Sequence, residues 1–415
     1  MRYMHCRGVA NSYVSQPLWL LSAWILLAIL LPASGAMADV SAVAKAEVVK
    51  AYLARWQAES EAPGVSAAVA VNGELVFSGG VGVSDLESGM PQDGRSVHNI
   101  GSISKTQAVV AILQLVEKGK VALDAEVQTY VPWFPKKQRP VTVRHILTHT
   151  SGIRHYKDDE FDADQLWMFR HYDKIEEASR RWRDDPLAFD PGTRWMYSSF
   201  ATNLLQAIVE SVSGLSFEQY LTRNVWRPAG MADTRLDMPA RIVPRRGKGY
   251  ERNRKTGALE NAVAEDVSYK FAGGGMISTD EDLCRFGAAL NSGRLLKPAT
   301  VTEMYRLQLP PNIPFTEEVE ARNAAPDAGW VEPSKGLTQG LIFMMEQDVE
   351  GRGYAGHSGN VKGTDSRFTN YYKEGVVVAI HFNSSSGDVD IRRAAEGLAQ
   401  LYLDGVAGEA RRAPR

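Results

Sequence analysis

Cysteine is nearly absent: the 415 residues include only Cys6 and Cys284. Cys6 lies in an N-terminal segment that reads as a removable export signal, so a processed chain would keep Cys284 alone and form no internal disulfide. Cys284 sits in a helical pattern, Asp282-Leu283-Cys284-Arg285-Phe286, and reads as a buried structural thiol. Charge of one sign is missing too. With 47 basic and 49 acidic residues the formal net charge is −2, which gives nucleic acid no electrostatic footing; only a short tail, Arg411, Arg412 and Arg415, is basic. Neither H-E-x-x-H nor paired-cysteine spacing occurs, so no metal is expected. Lys105-Thr106 follows Ser104 rather than glycine, which excludes a phosphate-binding loop, and no cofactor is expected. A long apolar run is also lacking: Leu18 to Leu31 is shorter than the roughly 20 residues that span a bilayer. Preceded by Arg2 and Arg7 and followed by Ala36-Met37-Ala38, it reads as a signal peptide, residues 1–38, cut before Asp39. The mature chain is then expected in the periplasm or outside the cell, with a membrane involved only if the segment stays uncleaved.

What is present is a globular composition, 44% hydrophobic and 23% charged, without repeats or low-complexity tracts. Residues 43–58 have helical periodicity. After Pro63-Gly64 the period changes to two, with Val65, Ala67, Val69 and Val71 on one face, and Asn72-Gly73 supplies a hairpin turn. Toward the other end Gly340 to Met344, Tyr354 to Ser358, Arg367 to Tyr372 and Val376 to Phe382 read as strands, the last two joined at Lys373-Glu374-Gly375. A helix carrying Ile391, Ala394, Ala395, Leu398 and Leu401 on one face follows. Strands at both ends imply an α/β (α+β) fold: one antiparallel sheet built from the two chain ends and flanked by helices. Residues from roughly 125 to 265 read as an inserted, mostly helical lobe of a single domain over 39–407, with 408–415 as the tail. Within it Arg245 to Lys255, with Gly247, Gly249 and Asn253, reads as a solvated basic loop.

Three short motifs carry the chemistry. Ser102-Ile103-Ser104-Lys105 is an S-x-x-K sequence opening a helical stretch with Val109, Ile112, Leu113 and Val116 that stops at Gly119. The first-turn N–H groups of a helix lack intrahelical partners and carry positive potential, which favours an oxyanion there. Lys105, three residues on, shares a face with Ser102, and a desolvated amine beside a hydroxyl can take its proton. Alone, this tetrapeptide more readily describes a helix-capping serine and a surface lysine. Pro191-Gly192-Thr193-Arg194-Trp195-Met196-Tyr197-Ser198-Ser199 then leads into a helix with Leu204, Leu205, Ile208, Val209 and Val212, stopped at Gly214. A phenol beside cations has a depressed pKa and can serve as general base; the other reading of Tyr197 is an ordinary buried tyrosine. Gly356-His357-Ser358-Gly359-Asn360 follows a strand, and a strand edge of small residues can pair with an extended substrate. The N–H of Asn360 with that of Ser102 would form an oxyanion hole, and His357 would bind a carboxylate when protonated or orient the tyrosine.

These three elements, in this order, resemble the serine beta-lactamase, penicillin-binding protein and related esterase superfamily, whose signatures are S-x-x-K, Y-x-N or S-x-N, and K-T-G or H-x-G. Leu147-Thr148-His149-Thr150-Ser151-Gly152-Ile153 and Gly273-Gly274-Gly275-Met276-Ile277-Ser278-Thr279 extend the likeness across nearly the whole mature chain. The tyrosine and histidine motifs look like the class C branch, and Thr150-Ser151-Gly152-Ile153-Arg154-His155-Tyr156 resembles the mitochondrial serine beta-lactamase-like peptidases and their bacterial counterparts. The resemblance implies an acyl-enzyme hydrolase with Ser102, Lys105 and Tyr197 as catalytic residues and Asn360, His357, Ser358, Gly359 and Ser199 at the oxyanion and substrate positions. Its expected partner is a small peptide, ester or lactam; the sequence leaves oligomeric state open. Two departures stand out: Ser199 replaces the usual Asn, and His357 replaces the lysine of beta-lactamases, so a fixed cation for a drug carboxylate is missing at neutral pH. In the family His149 belongs to a structural turn after a helix, with Gly152 expected as the helix stop. A true beta-lactamase and a non-catalytic module binding cell-wall peptides are the alternatives. Residues 154–190 and 310–337 are expected as loops near the cleft that select the substrate.

Overall fold

Strand β1 (Gly64–Val71) turns back into β2 (Glu74–Asp85) through Asn72 and Gly73, both at positive φ, 50° and 87°. These are the residues that tolerate the left-handed region a two-residue hairpin requires. The computed structural model describes residues 33–410 except 158–159, 161–165, 254, 311–312, 314–337 and 386–388. The apolar stretch Leu18 to Leu31, the tail arginines and nearly all of 310–337 therefore lie outside the described residues. The chain divides into two units at Lys45; of the first, the described part is the start of helix α1 (Ala33–Ser60), within which the expected cut before Asp39 falls. Among the described residues no helix is long and apolar enough to cross a membrane.

Short strands β3 (Met90–Pro91) and β4 (His98–Asn99) follow, then helices α2 (Ser104–Glu117), α3 (Val143–Leu147) and α4 (Ser199–Ser213). Next come β5 (Arg235–Leu236), the hairpin β6 (Tyr250–Arg252) and β7 (Leu259–Asn261), β8 (Met276–Ser278) and helix α5 (Asp280–Asn291). Strands β9 (Met344–Gln347), β10 (Gly353–Val361), β11 (Thr364–Tyr371) and β12 (Val376–Phe382) precede helix α6 (Ile391–Ala410), which takes in the first residues of the expected tail.

The main sheet has seven strands in the order β3-β2-β1-β12-β11-β10-β9, antiparallel throughout, so the first and last long strands meet at its centre, Val65 opposite Phe382 and Val71 opposite Val376. This is the expected sheet from both chain ends. The period of two decides which side chains reach which layer. Val65, Ala67 and Val69 pack with Val376, Val378 and Ile380 against Val49 and Leu53 of α1 and Ala394 and Leu398 of α6. Ala68, Ala70, Val377 and Ala379 face the opposite core, which holds α2 and α5. Small residues there let α5 lie close: a Cβ on Gly287 would come within 2.6 Å of Val377 Cγ1. Helix α2 is buried from Ser104 to Leu115, so the lysine and the residues around it are fixed by packing on every side.

Two expectations are corrected. Gly340 to Met344 is not a strand; β9 begins at Met344, and Leu341 to Phe343 form a buried turn with Ile342 at φ 67°. The N–H groups of Leu341 and Ile342 donate to the carbonyls of Met304 and Leu147 instead of a ladder. A buried turn and a buried strand have the same apolar signature over so few residues. Helix α3 stops at His149 rather than Gly152: His149 takes the left-handed conformation, φ 56°, its N–H donates to Ile146 O, and the Thr150 N–H donates to His145 O. That is a Schellman closure with histidine in the glycine position.

Candidate active site

Ser102 lies in a single 3-10 turn, Gly101–Ile103, immediately before α2. Its hydroxyl is half-buried, while Lys105 is fully buried. The Lys105 ammonium nitrogen is 2.8 Å from Ser102 Oγ and 3.0 Å from Ser199 Oγ, and it also donates to the carbonyl of Gly273. Burial, reinforced by the nearby charge of Lys270, holds the Lys105 pKa well below the ordinary lysine value. A neutral amine keeps two N–H donors for Ser199 and Gly273 and turns its lone pair toward the Ser102 hydroxyl.

Tyr197 stands on the loop before α4, as expected, with its ring 4.8 Å from Lys105 Nζ. The depressed pKa foreseen for its phenol is corrected: burial pushes it up, and hydrogen bonding to Ser102 and Ser199 offsets this only in part. Desolvation of the phenolate is the largest cause and decides the direction. Tyr197 is thus a proton-bearing phenol in contact with the nucleophile. Ser199, shorter than the usual asparagine, still reaches the lysine.

Strand β10 brings in the third motif. Gly359 crosses the nucleophile turn so closely that a Cβ there would sit 1.9 Å from Ile100 O. Gly101, at φ 46°, returns the favour, since its Cβ would lie 2.9 Å from Asn360 N. The main-chain N–H of Asn360 is therefore beside the turn that carries Ser102. Strand β9 pairs with β10 only as far as Gly356 opposite Met344, so among the described residues no strand pairs with that edge from His357 onward. The protonated form of His357 that would bind a carboxylate is disfavoured. The residue is buried at 2% exposure, its Nδ1 lies 2.6 Å from Ser358 O, and burial together with the Lys105 charge lowers its pKa to about 3. Its ring centroid lies 6.2 Å from that of Tyr197. Ser358 accepts from Arg367, a buried guanidinium paired with Glu346.

The profile of the Beta-lactamase family matches residues 46–402. The chain belongs to the beta-lactamase family. The serine beta-lactamase-like protein LACTB, mitochondrial, of Homo sapiens is 29% identical over 388 residues, 76% of this chain and 70% of that protein. Esterase EstB of Burkholderia gladioli is 29% identical over 273 residues, 59% of this chain and 69% of that esterase. Among solved structures, the octameric penicillin-binding protein homologue from Pyrococcus abyssi superposes with a TM-score of 0.70 at 26% identity, covering 87% of this chain and 77% of that one. Members of this family are serine hydrolases, and the chain is one of them.

The residues singled out by the sequence motifs, Ser102, Lys105, Tyr197, Ser199, His357, Ser358, Gly359 and Asn360, come together around the turn that carries Ser102. The fold also supplies groups those motifs do not name. Gly273, inside a glycine-rich match without an assigned role, gives the carbonyl that holds Lys105. Lys270, three residues earlier, adds to the depression of the lysine pKa. Arg367 reaches Ser358 across the register pair of β10 and β11. A pattern of one charged residue within a strand was the only sequence signal for it. Within the region 154–190, Arg154 pairs with Glu160 and Asp185, and its side chain is 15% exposed.

Proposed function

We propose that the protein is an exported hydrolase that cleaves ester or amide bonds of a small peptide-like substrate through an acyl-enzyme on Ser102. The observation that carries this reading is the 2.8 Å contact of a buried, easily deprotonated Lys105 with the half-exposed Ser102 hydroxyl. Lys105 takes the proton as Ser102 Oγ bonds to the carbonyl carbon, and the N–H groups of Ser102 and Asn360 receive the oxyanion. Tyr197 hands its proton to the leaving oxygen or nitrogen as that bond breaks and regains one through Lys105. Water then repeats the sequence on the acyl carbonyl, regenerating the free serine.

A neutral His357 favours substrates without a carboxylate beside the scissile bond, which supports esters and amides ahead of penicillin-type lactams and C-terminal D-alanyl peptides. A fluorophosphonate probe is expected to label the full chain at Ser102, with labelling lost in Ser102→Ala. A protein that stays unlabelled is a binding module, and the reading fails. On a panel of p-nitrophenyl esters, D-amino-acid amides, D-alanyl peptides and nitrocefin, the first two are expected to turn over fastest. Export predicts a periplasmic or secreted protein whose first residue is Asp39; a cytoplasmic protein with residues 1–38 intact removes that part.

A further inference from the structure

The phenol of Tyr197 is held by groups that belong to none of the three motifs. Two imidazoles contact its ring: His149, with centroids 4.4 Å apart and planes at 36°, and His155, at 5.4 Å and 88°. Each imidazole also grips the main chain beside it. The Ser198 N–H donates to His149 Nδ1 at 3.2 Å, and the Ser199 N–H donates to His155 Nδ1 at 3.2 Å. On the other side of the tyrosine, the Met196 N–H donates to the carbonyl of His149 at 2.9 Å. A main-chain N–H can only donate, so both Nδ1 atoms present a lone pair and both rings carry any proton on Nε2. His149 also stands in the left-handed position that closes α3, where glycine fits with less strain. Its side chain supplies what glycine lacks, an acceptor and a flat surface at the tyrosine.

We propose that His149 and His155 are positioning residues, a pair of neutral imidazoles that accept successive main-chain N–H groups after Tyr197 and hold its hydroxyl on Ser102. The inference rests on the reading of Tyr197 as the proton carrier. Burial keeps the His149 pKa well below the ordinary histidine value, in keeping with a permanent acceptor.

Asparagine tests the idea because its Oδ1 occupies the place of Nδ1 and it tolerates positive φ, whereas glycine keeps the turn and removes the acceptor. In the full chain, with a p-nitrophenyl ester, His149→Gly is expected to lower kcat by about ten- to a hundred-fold with KM little changed. His149→Asn is expected to stay within about three-fold of the parent. His155→Phe against His155→Asn repeats the comparison at a residue with ordinary backbone, which covers the case of a glycine variant that does not fold. Placed in Tyr197→Phe, neither His149→Gly nor His155→Phe should lower acylation further. Equal losses for the asparagine and the acceptor-free variants, or full additivity with Tyr197→Phe, overturn the proposal while leaving Tyr197 its role. Unchanged turnover in Tyr197→Phe alone removes the proton-carrier reading and this inference together.

Discussion

Lys105 shows how a single side chain trades stability for chemistry. Its amine is fully buried and its hydrogen-bond partners are two hydroxyls and a carbonyl, with no carboxylate among them. Removing an amine from water without a counter-charge is costly, and the site answers by lowering the lysine pKa. Lys105→Met, similar in shape and apolar, is expected to leave the melting temperature unchanged or raise it by a few degrees, while acylation falls more than about 10²-fold. A melting curve beside a burst assay checks both halves. Because the neutral amine is the active form, kcat/KM should rise with pH through the lowered Lys105 pKa, and the limb should vanish in Lys105→Met; a flat profile in the parent would contradict it. Sequence alone put Lys105 beside Ser102 because a spacing of three on a helix is a local fact. It failed on the direction for Tyr197, since desolvation there comes from residues far away in the chain, and no motif reports how deeply a group is buried.

Elements, rather than residues, set the distance between nucleophile and oxyanion donors. Strand β10 approaches the Gly101–Ile103 turn to a separation that only Gly359 permits. Gly359→Ala should force strand and turn apart, costing roughly 1–3 kcal/mol in denaturant unfolding and most of the fluorophosphonate labelling at Ser102. A variant that labels at the parental rate would show that the approach is dispensable. Hairpins and amphipathic helices were legible because their signals are periodic and local, as with Asn72-Gly73 and the faces of β1 and α6. The end of α3 was misread because glycine is the ordinary occupant of a left-handed cap, and Gly152 stood nearby to attract the assignment. The apolar run Leu341 to Phe343 was misread because burial leaves the same composition in a turn as in a strand.

The whole molecule buries several imidazoles without charge. His149, His357 and His381 all have pKa values lowered chiefly by burial, His357 to about 3. The unfolded chain binds protons at these rings where the native state does not, so stability is complete above ~6.5 and falls as pH drops through that value toward the native pKa values. His357 alone should contribute about 2 kcal/mol of loss between pH 6.5 and 5. Urea unfolding across this range is expected to show the decline, which His357→Gln should lessen. Cys284, the thiol inside α5, is buried with its pKa pushed up, and should resist thiol reagents until the protein unfolds. The sheet carries a further consequence. Since β1 lies between β2 and β12, a strand made early waits for one made much later. A nascent chain stopped at Tyr371 lacks that neighbour and should remain open to proteases however long it is given, so the time spent threadlike and able to pass a narrow channel is written into strand order.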